Sequence, residues 1–112
     1  MDVYFNNKEL KELADNPRKC LKELGAKRAK LFSTRILDLS DANSLEDLRT
    51  FPGHYHELTG NRKGQWACDL DQPYRLIFEP HEKPIPTDEN GKYIWLEIKS
   101  VEINEITNYH GK

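Results

Sequence analysis

The hydrophobic periodicity of this chain changes once, near residue 53, and that change limits the folds open to it. Up to that point apolar side chains recur at spacings of three and four: Leu10, Leu13, Pro17, Leu21 and Leu24, then Ala29, Phe32, Ile36 and Leu39. Such spacing gives each helix one apolar stripe. From His54 onward the spacing is two. His54, His56 and Leu58 alternate with Tyr55 and Glu57, and Trp66, Cys68 and Leu70 with Gln65, Ala67 and Asp69. Tyr74, Leu76 and Phe78 alternate with Arg75, Ile77 and Glu79. Alternation of this kind marks strands with one buried face. Helices first and strands afterwards predict an α+β domain: an N-terminal helical hairpin packed on one face of a four- to five-stranded, mainly antiparallel sheet. A length of 112 residues leaves room for one domain, residues 1–112, with one core.

Local signals refine this outline. Val3-Tyr4-Phe5 is a short β-prone run suited to an edge strand. Asn16-Pro17 has the form of an N-cap followed by proline at the first helical position, which divides the first helical run into two abutting pieces. Gly25 stops the second piece, and a longer helix follows with Lys27, Arg28, Lys30 and Arg35 outside its apolar stripe. Ser44 and Asp47 have capping-box spacing, so a short helix is expected to about Thr50, ended by Pro52-Gly53. Residues 60–64 and 71–73 read as turns, and residues 80–92, with Pro84, Pro86, Asn90 and Gly91, as a long loop. Residues 93–98 and 101–109 supply the last strand material, with a break near Lys99-Ser100.

The opening residues show neither the basic nor the apolar region of a signal peptide, and no apolar run is long enough for a membrane helix. Cys20 and Cys68 are far apart and in no metal-like spacing, so both are expected as buried thiols in a cytoplasmic protein. The net charge of −2 argues against a strong attraction to nucleic acid, but its distribution is uneven. Residues 8–35 carry nine Lys/Arg against four Asp/Glu, whereas residues 36–60 carry one against five. The basic sector could meet RNA, but stretches of this kind are more often two solvated helix faces.

Chemistry-bearing residues gather in the second half: His54 and His56, Arg62-Lys63, Arg75 and Tyr109-His110. Histidine exchanges a proton near neutral pH. Cutting RNA without a metal needs a base at the 2′-OH, a fixed cation for the charge that develops on phosphorus, and an acid for the leaving 5′ oxygen. His, Arg, and His or Tyr on neighbouring strands provide that set, although each alone also fits a surface strand, a basic turn or a terminus. Asp69-x-Asp71 suggests a two-metal site only with a third carboxylate, which the sequence does not place. His54-x-His56 likewise lacks a third zinc ligand. No metal or cofactor is expected. Trp66 and Phe78 read as core residues.

Taken in order, three motifs resemble a known family. These are His56-Glu57-Leu58-Thr59-Gly60-Asn61-Arg62-Lys63-Gly64-Gln65-Trp66, then Tyr74-Arg75-Leu76-Ile77-Phe78, then Glu105-Ile106-Thr107-Asn108-Tyr109-His110. With Leu48-Arg49-Thr50-Phe51-Pro52-Gly53 ahead of them, they resemble the HigB branch of the RelE/ParE toxin superfamily, the plasmid-maintenance killer proteins. The family pattern is H-x-L-K-G-[DN]-R-[KE]-G-x-[WY], a W/Y-R-[IL]-x-F strand, and a terminal E-I-x-D-Y-H. The resemblance implies a RelE-like fold and a ribosome-dependent mRNA endonuclease that enters the A site and is silenced by a helix-turn-helix antitoxin, the chain being a monomer or part of a hetero-complex with that antitoxin. It implies catalytic roles for His56, Arg75, Asn108, Tyr109 and His110. Arg62, Lys63, Lys27, Arg28 and Lys30 are the expected RNA-binding cations. Asn108 stands where the family commonly has Asp, the net charge is negative where such toxins are usually basic, and the 80–92 loop is longer than in the shortest members. Two other readings share the fold: a ParE-like DNA gyrase inhibitor without catalysis, and an inactivated module that only binds the antitoxin.

Overall fold

The computed structural model describes residues 1–108 and is α+β, with three N-terminal helices packed on a five-stranded mixed sheet. Strand β1 (Asp2–Phe5) leads into helices α1 (Lys8–Asp15), α2 (Pro17–Leu24) and α3 (Ala26–Asp41). Strands β2 (His56–Glu57), β3 (Trp66–Asp69), β4 (Tyr74–Pro80) and β5 (Ser100–Asn108) follow. Their order across the sheet is β1-β5-β4-β3-β2. The β2, β3, β4 and β5 neighbours pair antiparallel, while β1 lies parallel to β5 at the other edge, Asp2 opposite Ser100.

The helical layer follows its punctuation. Asn7 and Asn16 cap α1 and α2 by accepting hydrogen bonds from the backbone N–H of Leu10 (2.9 Å) and Lys19 (3.1 Å). The extended backbone at Asn16 resets the helical phase. Cys20 therefore turns inward on α2, and Leu21, expected on the buried stripe, faces solvent. The reset is the expected division of the first helical run, so the layer consists of α1, α2 and α3. Phe32 and Leu39 of α3, with Leu10 and Leu13 of α1, form one core with Trp66, Cys68, Leu76, Phe78, Val101 and Ile103 of the sheet. Both cysteines are free and buried, and burial raises both thiols above their ordinary range.

Three local expectations change. His54 is not in a strand: its φ of 57° puts it in a left-handed turn after Gly53, and pairing with β3 begins only at His56. Residues 93–98 form no strand either. The segment folds back on itself, with Ile94 N–H donating to the Pro86 carbonyl (2.9 Å), and Trp95–Glu97 is a 3-10 turn that buries Trp95 edge-on against Trp66. The expected short helix is a 3-10 turn, Glu46–Thr50, with Leu45 at its N-cap; Ser44 Oγ accepts from the Asp47 N–H at 3.4 Å, and the Asp47 carboxylate accepts from the Asn43 N–H rather than from Ser44.

Two arginines outside the apolar stripe of α3 turn back to the sheet. Arg28 donates to both carboxylate oxygens of Asp71 (2.8 and 3.1 Å) and lies 3.5 Å over the Tyr74 ring, while Lys27 and Lys30 are exposed. The hydrogen bond from Arg28 holds the Asp71 carboxyl below its ordinary value of 3.8. A depressed carboxyl stabilises the fold above its unfolded pKa, and that contribution fades as pH falls through the folded value. We expect Arg28→Ala to lower unfolding free energy by about 1–2 kcal/mol, against less than about 0.5 for Lys27→Ala or Lys30→Ala. The gap between wild type and Asp71→Asn in urea denaturation should hold at neutral pH and close below about pH 4. Equal losses for the three basic residues would refute the anchoring role of Arg28.

Candidate active site

Residues directly opposite each other across a sheet share a face, as do residues two apart along a strand. His56 is opposite Ala67, Ala67 opposite Ile77, and Ile77 opposite Glu105. The next row is Asp69, Arg75 and Thr107. His56, Asp69, Arg75, Ile77, Glu105 and Thr107 therefore share the face opposite the helix-packed core. A hollow of about 220 Å³ is lined by His54, His56, Asp69, Gln72 and Arg75. A second, of about 420 Å³, is lined by Leu58, Asn61, Arg62, Arg75, Ile77, Thr107 and Asn108. Arg75 lines both, so the two hollows adjoin at its side chain as the two parts of a cleft along the sheet.

At the junction Arg75 Nη1 donates to His56 Nε2 at 3.3 Å. A guanidinium has no acceptor, so Nε2 presents its lone pair and the ring proton resides on Nδ1. The Nδ1–H donates in turn to the His54 carbonyl at 2.8 Å. These two partners assign His56 as the neutral Nδ1–H tautomer, with its basic nitrogen toward the cleft. The ring is therefore poised to take a proton there, beside a fixed cation.

The backbone that aims the His54 carbonyl is unusual. Left-handed φ is uncommon outside glycine, and holding it costs about 1–3 kcal/mol. Gly53, with φ 121°, precedes it, and its carbonyl accepts from the Asp69 N–H at 2.9 Å. Arg35 donates from Nε to the Asp69 carbonyl at 2.7 Å, and a β-carbon on Gly53 would meet its guanidinium carbon at 2.8 Å. Tyr55 donates its hydroxyl to Asp38 at 3.0 Å, and burial pushes that phenol far above its ordinary range. This turn is fixed by α3 from beneath.

The expected site residues divide as follows. His56, Arg75, Arg62 and Asn108 line the cleft. Asn108 is the register partner of Tyr74, so the alternation places it on the face opposite Arg75 and Thr107, and it meets the hollow from the exposed end of β5. Tyr109 and His110 lie outside the described residues. Arg62 is not a loose cation, because Nη1 donates to Gln65 (3.0 Å) and Glu105 (3.2 Å). Lys63 faces away, 5.5 Å over the Tyr93 ring, in a hollow of about 480 Å³ with Glu46, Arg49, Glu57 and Lys92. Lys27, Arg28 and Lys30 line neither part of the cleft, and Arg28 is committed to Asp71. Of the five expected RNA-binding cations, Arg62 lines this cleft and these four lie away from it.

Asp69, Gln72 and Thr107 join the cleft without having been expected there, as does His54 beyond its place beside His56. A signal for Asp69 existed: a hairpin centred on Gln72 pairs Asp69 with Arg75. Among the described residues no group of three His, Cys, Asp or Glu is arranged to hold a metal ion, and no helix is long and apolar enough to cross a membrane. The chain matches no known protein-family model, and no curated protein matches it.

Gly53→Ala tests the turn. Strain at this φ together with displacement of Arg35 should lower stability by about 2–3 kcal/mol, measured by urea denaturation. A change below about 0.5 kcal/mol would show that the turn relaxes freely.

Proposed function

We propose that this protein is the toxin of a type II toxin–antitoxin pair, an endoribonuclease that cleaves ribosome-bound mRNA without a metal ion and is silenced by a helix-turn-helix antitoxin. The observation that carries this reading is the 3.3 Å contact between Arg75 Nη1 and His56 Nε2, in a surface cleft. The ordered sequence motifs supply the rest. In the proposed reaction a backbone phosphate draws the Arg75 guanidinium onto its oxygens and frees Nε2. His56 accepts the 2′-OH proton as the 2′ oxygen attacks phosphorus, and Arg75 stabilises the charge on the phosphorane oxygens. The bond to the 5′ oxygen breaks as that oxygen receives a proton from Tyr109 or His110, both of which the resemblance makes catalytic. The products are a 2′,3′-cyclic phosphate and a 5′-hydroxyl.

In single-turnover cleavage with programmed ribosomes, His56→Gln and Arg75→Ala should each lower the rate about a hundredfold, with folding unchanged by circular dichroism. Rates within about twofold of wild type for both variants would sink this assignment. In cells, expression of the chain alone should arrest growth and His110→Ala should relieve the arrest. A gyrase inhibitor would instead remain toxic after either histidine is replaced, and equal toxicity at matched expression would decide for it.

A further inference from the structure

We propose that His54 is a positioning residue for His56, acting through both its backbone and its ring, with Asp69 steering the ring. The inference rests on the reading of His56 as the proton acceptor, and three observations converge on it. The left-handed His54 backbone directs its carbonyl at His56 Nδ1, 2.8 Å away. The two imidazoles stack with centroids 4.2 Å apart and planes 21° from parallel. His54 Nδ1 also lies 3.6 Å from Asp69 Oδ2, just beyond hydrogen-bond distance. A side chain that is 67% exposed would ordinarily sample several rotamers. Here it has both a carboxylate and a second ring as neighbours.

The consequence concerns the geometry of proton transfer. A histidine serves as base only from the nitrogen that carries the lone pair, and the hydrogen bond at the other nitrogen sets which one that is. The His54 carbonyl makes that choice, while the stacked ring limits rotation of His56 about its χ angles, keeping Nε2 in the cleft beside Arg75. Asp69 can act in this way because its own backbone is held at both ends, by Gly53 and by Arg35.

Three variants separate these elements. His54→Asn keeps a residue that tolerates left-handed φ and deletes the ring. His54→Val opposes that backbone conformation. Asp69→Asn preserves shape and removes the charge, and puts least at risk in folding. Long-range nitrogen–proton correlation spectra, with His56 assigned by loss of its signals in His56→Gln, report its tautomer whether or not RNA is cut. His54→Val should convert the single Nδ1–H pattern into a mixture of tautomers and lower kcat about tenfold with KM within twofold, part of the roughly hundredfold a misplaced catalytic group can lose. His54→Asn and Asp69→Asn should keep the tautomer and lose about threefold in kcat. An unchanged His56 pattern in His54→Val, or losses confined to KM, would overturn the positioning role. Absence of cleavage by the wild type, with the tautomer still responding to His54→Val, would instead count against the nuclease reading alone.

Discussion

One guanidinium, that of Arg35, joins the helical layer to the end of the sheet where the cleft lies. A largely buried cation is stable only where acceptors surround it, so its position is tightly determined. Arg35 reaches the Asp69 carbonyl at 2.7 Å, approaches Asp38 at 4.0 Å, and leaves no space for a side chain at residue 53. Through these contacts a helix that carries none of the proposed chemistry sets the backbone of the Gly53-His54 turn and the last residue of β3. His56 and Arg75 meet because both neighbouring segments are referred to the same anchor.

The electrostatic character of the chain follows from the same use of arginine. The basic sector of residues 8–35 has a surplus of positive charge, yet its arginines on α3 are directed inward to Asp71 and Asp69. Arginine suits this work because its planar fork meets two acceptors at once, while lysine keeps a compact hydrated charge. Lys27 and Lys30 accordingly stay exposed. In the cleft, Arg62 shares its charge with Glu105, which leaves a site of balanced charge around the His56–Arg75 pair.

The fold class was legible because hydrophobic period is a local property that tertiary packing reinforces. The cap at Asn16 and the break before Ser100 are local as well: Asn16-Pro17 announced its helix start in the sequence. Expectations failed where a long-range contact overrides local preference. Residues 93–98 have β-prone composition, but burying Trp95 against Trp66 required a turn. His54 alternates correctly with His56, yet the Gly53 turn and its bond to Asp69 decide its backbone. Charged positions were hardest to read, since Arg28 and Lys27 look alike in sequence and differ only in whether an acceptor lies within reach.

The parallel pairing of β1 with β5 has a consequence for how the molecule comes into being. Asp2 finds its partner at Ser100, so one sheet edge is joined by residues almost a full chain length apart. The helices can form early from local contacts, whereas β4 also lacks its second neighbour until β5 has been made. During synthesis the first strand must wait, already translated and unpaired, for the last strand to leave the ribosome. Thr107 and Asn108 line the cleft from that last strand, so a nascent chain has no complete cleft until synthesis has passed them.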